Sequence, residues 1–217
     1  VHDLLIKNPT IVVGIGGAGS RITTEASEKL GCENILVSSD MKDLSSKGTG
    51  IHVGTGAWAN PSTYKLRYHA QKQSDKILAA IAGHSTVIIV ANLAGRSGCA
   101  MAPIVSKLAK EAGAAVITVA IMPFKFEKDR LFSAGTAFRR LRDTCDSVIV
   151  MDNDAFIENN PDLTKEECYS LTNRAIVDVM GSILTSGIKN ELNVLCTSKP
   201  STDSVTSLRD SVSMLYQ

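Results

Sequence analysis

Short apolar runs alternate along this chain with longer segments of helical periodicity. Thr10 to Val13, Asn34 to Ser38, Val87 to Val90, Val116 to Ile121 and Val148 to Met151 are almost continuously hydrophobic. A strand with one face in water alternates apolar and polar residues, and these do not. They predict strands of a parallel sheet covered by helices on both faces. One covering helix is predicted from an N-cap at Asn60, with Pro61 at the first helical position, to a stop at Gly83. A second spans about Ala102 to Ala112 and ends at Gly113. A third opens at Thr164, with Glu167 completing a capping box, and carries Leu171, Ala175, Ile176, Val179 and Ile183 on one stripe. Beyond Pro200-Ser201 a shorter amphipathic pattern places Val205, Leu208, Val212 and Leu215 together. The expected fold class is α/β: a doubly wound, mostly parallel, Rossmann-like sheet with a long central helix.

With 217 residues, 44% hydrophobic and 21% charged, the chain suffices for one substantial core. A net charge of +1 gives no electrostatic reason to expect nucleic acid or an acidic membrane as partner. The longest apolar run, Ala114 to Met122, is far too short for a transmembrane segment, and Val1-His2-Asp3 does not open like a signal peptide. Cys32, Cys99, Cys145, Cys168 and Cys196 are scattered and odd in number, which fits a reducing cytoplasm. Neither they nor His2, His52, His69 and His84 show metal-ligand spacing, so no metal site is expected from the protein alone. Arg139, Arg140 and Arg142, with Lys125, Lys128 and Arg130, form a basic neighbourhood read mostly as a solvated helix face.

Chemistry concentrates in two glycine-containing loops, Gly14-Ile-Gly-Gly-Ala-Gly-Ser-Arg21 and Ala94-Gly-Arg-Ser-Gly-Cys-Ala100. Each follows a strand candidate and precedes a helical pattern, where bare backbone amides converge on an anion. Two such loops in one domain suggest a polyphosphate held from two sides. Gly14, Gly16 and Gly19 also satisfy G-x-G-x-x-G after a strand, with Asp40 at the end of the next strand. That is the dinucleotide fingerprint, in which Asp40 holds a ribose hydroxyl and the ligand is NAD. The second loop is unexplained by this alternative.

The motifs in order resemble the FtsZ and tubulin superfamily. Val13 to Ser20, with Arg21 behind it, looks like that family's first phosphate loop, and Val37-Ser38-Ser39-Asp40 like its second strand end. Gly54 to Pro61, including Ala59 and Asn60, resembles the loop that approaches the terminal phosphate. Ala91 to Pro103 is a degenerate form of the glycine- and threonine-rich signature. Pro123-Phe124-Lys125-Phe126-Glu127 with Arg130 is similar to the sugar-contacting segment of FtsZ. Asp152-Asn153-Asp154 matches the loop before the central helix, on which Tyr169 and Asn173 fall where the family reads guanine. The resemblance implies GTP or GDP bound by Gly16, Gly17, Ala18, Gly19, Ser20, Arg21, Asp40, Ala59, Asn60, Gly95, Arg96, Ser97, Gly98, Glu127, Arg130, Asn153, Tyr169 and Asn173, with Mg2+ accompanying GTP. It further implies head-to-tail filaments in the cytoplasm, serving cell division or membrane remodelling through a membrane-tethering protein partner.

Three departures qualify what is implied. Arg96, Ser97 and Cys99 stand among the signature's glycines and threonines, so Arg96 either neutralises phosphate or blocks the pocket. Arg174 follows Asn173 where the family has a base-reading aspartate, and a guanidinium, donor only, cannot accept from guanine. The family's catalytic aspartates, which enter the next subunit's site, fall on Leu195 and Ser198, or on Leu192 and Leu195 in the other alignment. No catalytic residue is therefore assigned and hydrolysis is expected to be weak or absent, unless Glu191 or Asp203 substitutes. Residues 1–186 are expected to form the nucleotide domain and 187–217 the degenerate catalytic loop with its helix. The family's C-terminal domain has no counterpart in the sequence, as in a piece of a longer chain or a reduced branch of the family.

Overall fold

The computed structural model describes residues 6–44, 48–56 and 61–186. Six strands, β1 (Thr10–Ile15), β2 (Glu33–Ser38), β3 (Thr49–His52), β4 (Thr86–Asn92), β5 (Ala115–Met122) and β6 (Ser147–Asp152), form one parallel sheet in the order β3-β2-β1-β4-β5-β6. The helices are α1 (Gly16–Leu30), α2 (Thr63–Lys72), α3 (Ser74–Ile81), α4 (Arg96–Glu111), α5 (Lys128–Thr144), α6 (Asp154–Asn159) and α7 (Lys165–Ser186). From β1 the chain winds outward through β2 and β3, then returns to the other side of β1 for β4, β5 and β6. The reversal leaves a crevice at the carboxyl ends of β1 and β4, where this class of sheet binds ligands.

The continuous apolar runs are explained by two cores. Ile11, Val13 and Ile15 of β1 and Val87, Ile89 and Ala91 of β4 point to the face covered by α2, α3, α4 and α5. The intervening Val12, Ile88 and Val90 point to the face covered by α1, α6 and α7. Every one of these residues is essentially inaccessible to water, which is why these stretches of the central strands are apolar on both faces.

Three expectations are corrected. The helix predicted from Asn60 to Gly83 is two helices broken at Gln73, and its N-cap is Ser62, whose Oγ accepts from Lys65 N at 3.4 Å. Asn60 lies outside the described residues. The helix predicted from Ala102 begins six residues earlier, at Arg96, with Pro103 in its interior, because the glycine loop is itself the first turn. β3 was not foreseen: it is a four-residue edge strand in which only Ile51 is buried, too little for a hydrophobic pattern to show. Among the described residues no helix is long and apolar enough to cross a membrane.

The capping box at the start of α7 is present as predicted. Glu167 N donates to Thr164 Oγ1 at 3.2 Å, and Thr164 N donates to Glu167 Oε2 at 2.8 Å. The bond from Thr164 N, and next one from Thr164 Oγ1 to Glu167 Oε2 at 2.8 Å, hold the Glu167 carboxyl below its ordinary range. A lowered folded pKa contributes stability that is complete above the unfolded value and is lost as pH falls through the folded one. Thermal melts across the acid range should therefore show a loss in the unmodified chain that is smaller in Glu167→Gln. Identical pH profiles for the two proteins would show that the cap contributes nothing.

Candidate functional site

The crevice is built from two helix starts with the same unusual chemistry. α1 follows β1 with Ile15 at its N-cap, and α4 follows β4 with Gly95 at its N-cap. Neither cap supplies a side-chain hydrogen bond, and neither first turn contains an acidic residue. The first turns of α1, with Gly16, Gly17 and Ala18, and of α4, with Ser97 and Gly98, thus lack the side-chain cap by which most helices satisfy a leading amide. Both positive dipole ends open at the switch point, an arrangement suited to an anion.

Glycine is required here because the two loops and β4 meet backbone to backbone. A Cβ on Gly19 would lie 2.4 Å from the Val90 carbonyl oxygen, and one on Gly98 would lie 2.0 Å from that of Asn92. Gly16 has φ +68°, a left-handed conformation, and its Cβ would lie 2.8 Å from Ser97 Cβ. The two loops predicted from sequence are therefore in direct contact. Behind them the hydroxyls of Ser20 and Thr23 are buried without a hydrogen-bond partner. Cys99, one residue past Gly98, is no nucleophile: burial pushes its thiol up to about 11, and Sγ donates to the Leu93 carbonyl at 2.8 Å.

The end of β2 closes a third side. Ser39 Oγ lies 3.4 Å from Ser97 Oγ, tying β2 to the start of α4. Exposed Asp40 accepts from Lys42 N at 3.0 Å and so caps a short 3-10 turn, Met41–Asp43. Asp43, on that turn, accepts from Ser38 Oγ at 2.6 Å and sets its other oxygen beside Gly17, 2.9 Å from where a Cβ would stand. Its place at the loop was missed in the sequence, where it reads as one more charge in a polar connection.

Farther along the same edge, past β5 and β6, stands an aromatic wall. Phe124 is fully buried, stacks on Phe126 at 4.9 Å between centroids, and meets Tyr169 of α7 at 5.5 Å. Lys165, also missed, sits over all three rings at 5.5–5.7 Å. Glu127 accepts from Lys165 Nζ at 3.2 Å and from Arg130 Nη1 at 3.0 Å, while its second oxygen accepts from Phe124 N at 3.2 Å. The bond to Glu127 is the main reason the Lys165 ammonium is held above its ordinary pKa. Asn153 is fully buried, its Nδ2 donating to the Met122 carbonyl at 2.9 Å and its Oδ1 accepting from Thr172 Oγ1 at 2.8 Å.

Of the residues predicted to bind nucleotide, the fold thus joins Gly16 to Ser20 with Gly95 to Gly98, and Glu127, Arg130 and Tyr169 through Lys165 and Phe124. Asn173 lies one turn beyond Tyr169 and is half-buried. Arg21, Asp40, Arg96 and Arg174 are exposed. Asn153 is engaged at both ends inside the protein. Ala59, Asn60, Leu195 and Ser198 lie outside the described residues.

Strand order, switch-point crevice and paired helix starts define a doubly wound, Rossmann-like α/β domain. The sequence profile of the tubulin/FtsZ family, GTPase domain, matches residues 9–161, and the chain belongs to that family. It is 34% identical over 176 residues to the cell division protein FtsZ of Methanothermobacter thermautotrophicus, covering 76% of this chain and 46% of that protein. To cell division protein FtsZ 2 of Methanocaldococcus jannaschii it is 29% identical over 196 residues, covering 85% of this chain and 51% of that one. The chain spans about half the length of these relatives. Its fold matches an empty FtsZ dimer from M. jannaschii with a TM-score of 0.77 at 24% identity, over 85% of this chain and 56% of that one. It also matches a GTPγS-bound protofilament of CetZ2 from Haloferax volcanii with a TM-score of 0.71 at 23% identity, over 82% of this chain and 58% of that one. Gly14, Gly16 and Gly19 of the G-x-G-x-x-G pattern lie inside the matched GTPase domain.

Contact between the loops has a direct test. Gly16 and Gly83 both have positive φ, +68° and +83°, but nothing lies within 4 Å of a Cβ on Gly83. Gly83→Ala should cost only the left-handed strain of about 1–2 kcal/mol, and Gly16→Ala that strain plus displacement of Ser97. Urea unfolding should rank Gly16→Ala as clearly the less stable variant. Equal losses would show that the loops do not abut.

Proposed function

We propose that this chain binds guanine nucleotide across the β1/β4 crevice, associates head to tail through it, and hydrolyses GTP weakly or not at all. One observation carries the binding half: two helix starts without side-chain caps stand together at the switch point, in contact through Gly16 and Ser97. The phosphates fit between the first turns of α1 and α4, and the unsatisfied hydroxyl of Ser20 lies on the second turn of α1. The sugar and base then fall towards Glu127, Arg130, Tyr169 and Asn173, two and three strands along the same edge. Among the described residues no cluster of three metal-ligating side chains is present. A Mg2+ ion would therefore be carried mainly by the triphosphate itself.

This reading makes Arg96, at the first position of α4, a phosphate contact rather than a plug. Calorimetric titration with GTP, GDP, ATP and NAD should give guanine nucleotides as the tightest ligands. Arg96→Gly should weaken them about tenfold, the loss of one charge-assisted contact. Tighter binding in Arg96→Gly would make the arginine a plug. Equal affinity for ATP and GTP would show that Arg174 has removed base selectivity. No binding of any nucleotide would leave a structural homologue and overturn the proposal.

The weak-turnover half rests on the sequence. In-line attack on the terminal phosphate needs a group that orients water, and the family supplies aspartates from the next subunit. Leu195 and Ser198 supply no carboxylate. Assembly in the cytoplasm, with a membrane-tethering partner for division or membrane remodelling, would then produce filaments that discharge their nucleotide slowly. Phosphate release from GTP should stay near background as protein concentration is raised into the range where light scattering reports assembly. A rate rising with protein concentration would point instead to an active polymerising GTPase using Glu191 or Asp203.

A further inference from the structure

On the face of the sheet away from α7, helices α2, α4 and α5 enclose a groove of about 440 Å³, within the range of small-ligand sites. It lies behind the nucleotide crevice, along the middle and end of the helix whose first turn forms that crevice. Its apolar floor comes from α4, chiefly Pro103, Ile104 and Leu108, and its charged walls from α2 and α5. Lys107 and Glu111 also line it but pair with each other at 3.7 Å, so they largely cancel. That leaves Arg67 of α2, and Arg140 and Asp143 of α5, to set its character.

Arg67 is the anomaly. Its Nε is buried with no hydrogen-bond partner, and among the described residues no carboxylate lies within ion-pair distance of it. Burial, and next the positive charge of Arg140, hold the Arg67 guanidinium below the ordinary arginine pKa. A buried donor left unmade is costly, and the Arg140 guanidinium, exposed on α5, adds like charge beside it. An oxyanion between them would satisfy the donor and remove the repulsion, and the guanidinium fork suits a carboxylate bidentately. Asp143 in the same lining disfavours a ligand of high negative charge, which selects a monoanion over phosphate.

We propose that this groove binds a carboxylate carried on a compact apolar body, with Arg67 and Arg140 clasping the carboxylate and Pro103, Ile104 and Leu108 receiving the body. Such a group reaches the groove as a free small carboxylic acid or as the side chain of an acidic peptide. The test is a nuclear magnetic resonance titration of the full chain, read at the Arg67 Nε–Hε resonance, with benzoate, benzyl alcohol, inorganic phosphate and a capped Leu-Glu-Leu peptide. Benzoate should move that resonance saturably and benzyl alcohol should not. Arg67→Gln and Arg140→Gln should each weaken benzoate at least about tenfold, read at the α4 and α5 amides. Tighter binding of the peptide than of benzoate supports a protein partner, and the reverse order supports a free acid. The proposal fails if the Arg67 resonance does not respond to either carboxylate, if benzyl alcohol moves it equally, or if phosphate matches benzoate. It also fails if both variants bind benzoate as the unmodified chain does. Should a variant not fold, the comparison of benzoate with benzyl alcohol in the unmodified chain still decides.

Discussion

Close approach of three backbone segments, with no side chain between them, is the constraint on which the rest of this domain depends. α1 packs against β4 so tightly that Gly19 has the Val90 carbonyl where a methyl group would be, and α4 turns back over its own strand so tightly that Gly98 has that of Asn92. Only with both turns compact do two helix N-termini reach the same end of the sheet. The positive ends of both helix dipoles then stand close together, where a negative charge would be favourable.

Charge is managed differently at the two ends of the site. At the glycine loops it is left open, with no side-chain cap on either helix start and the Asp43 carboxylate turned toward Gly17. At the aromatic wall it is closed. Glu127, almost wholly buried, accepts from two cations and a backbone amide, and Lys165 rests its ammonium over three rings. The wall is preorganised by its own ion pairs, and anything entering between Tyr169 and Phe126 must compete with them.

Much of this architecture was legible in the sequence because burial on both faces leaves no ambiguity of pattern. Runs such as Val87 to Val90 have no polar position, and the capping box at Thr164 and Glu167 is a local device that needs no tertiary contact to be recognised. The failures share a cause too. β3 has one buried residue, and the break at Gln73 divides a segment that is helical on either side. The start of α4 was missed because glycines signal turns, and only the neighbouring β4 backbone shows that here they form a helical turn. Site residues followed the same division. Glycines in a strand-loop-helix pattern announced themselves, whereas Asp43 and Lys165 matter only through where the fold sets them. Asn153 was read as a ligand contact from its place in a motif, and the fold gives its amide internal partners at both ends.

That buried amide has a mechanical consequence. Asn153 clamps the end of β5, through Met122, to Thr172 in the second turn of α7, and Lys165 fastens the first turn to Glu127. α7 is thereby pinned at two points to the rim that follows β5. The Asn153–Thr172 bond is buried, whereas the Lys165 side chain is 41% exposed, so water can replace the second bond and not the first. Sliding α7 along its axis would therefore cost chiefly the buried bond, leaving the Asn153 amide oxygen without a donor.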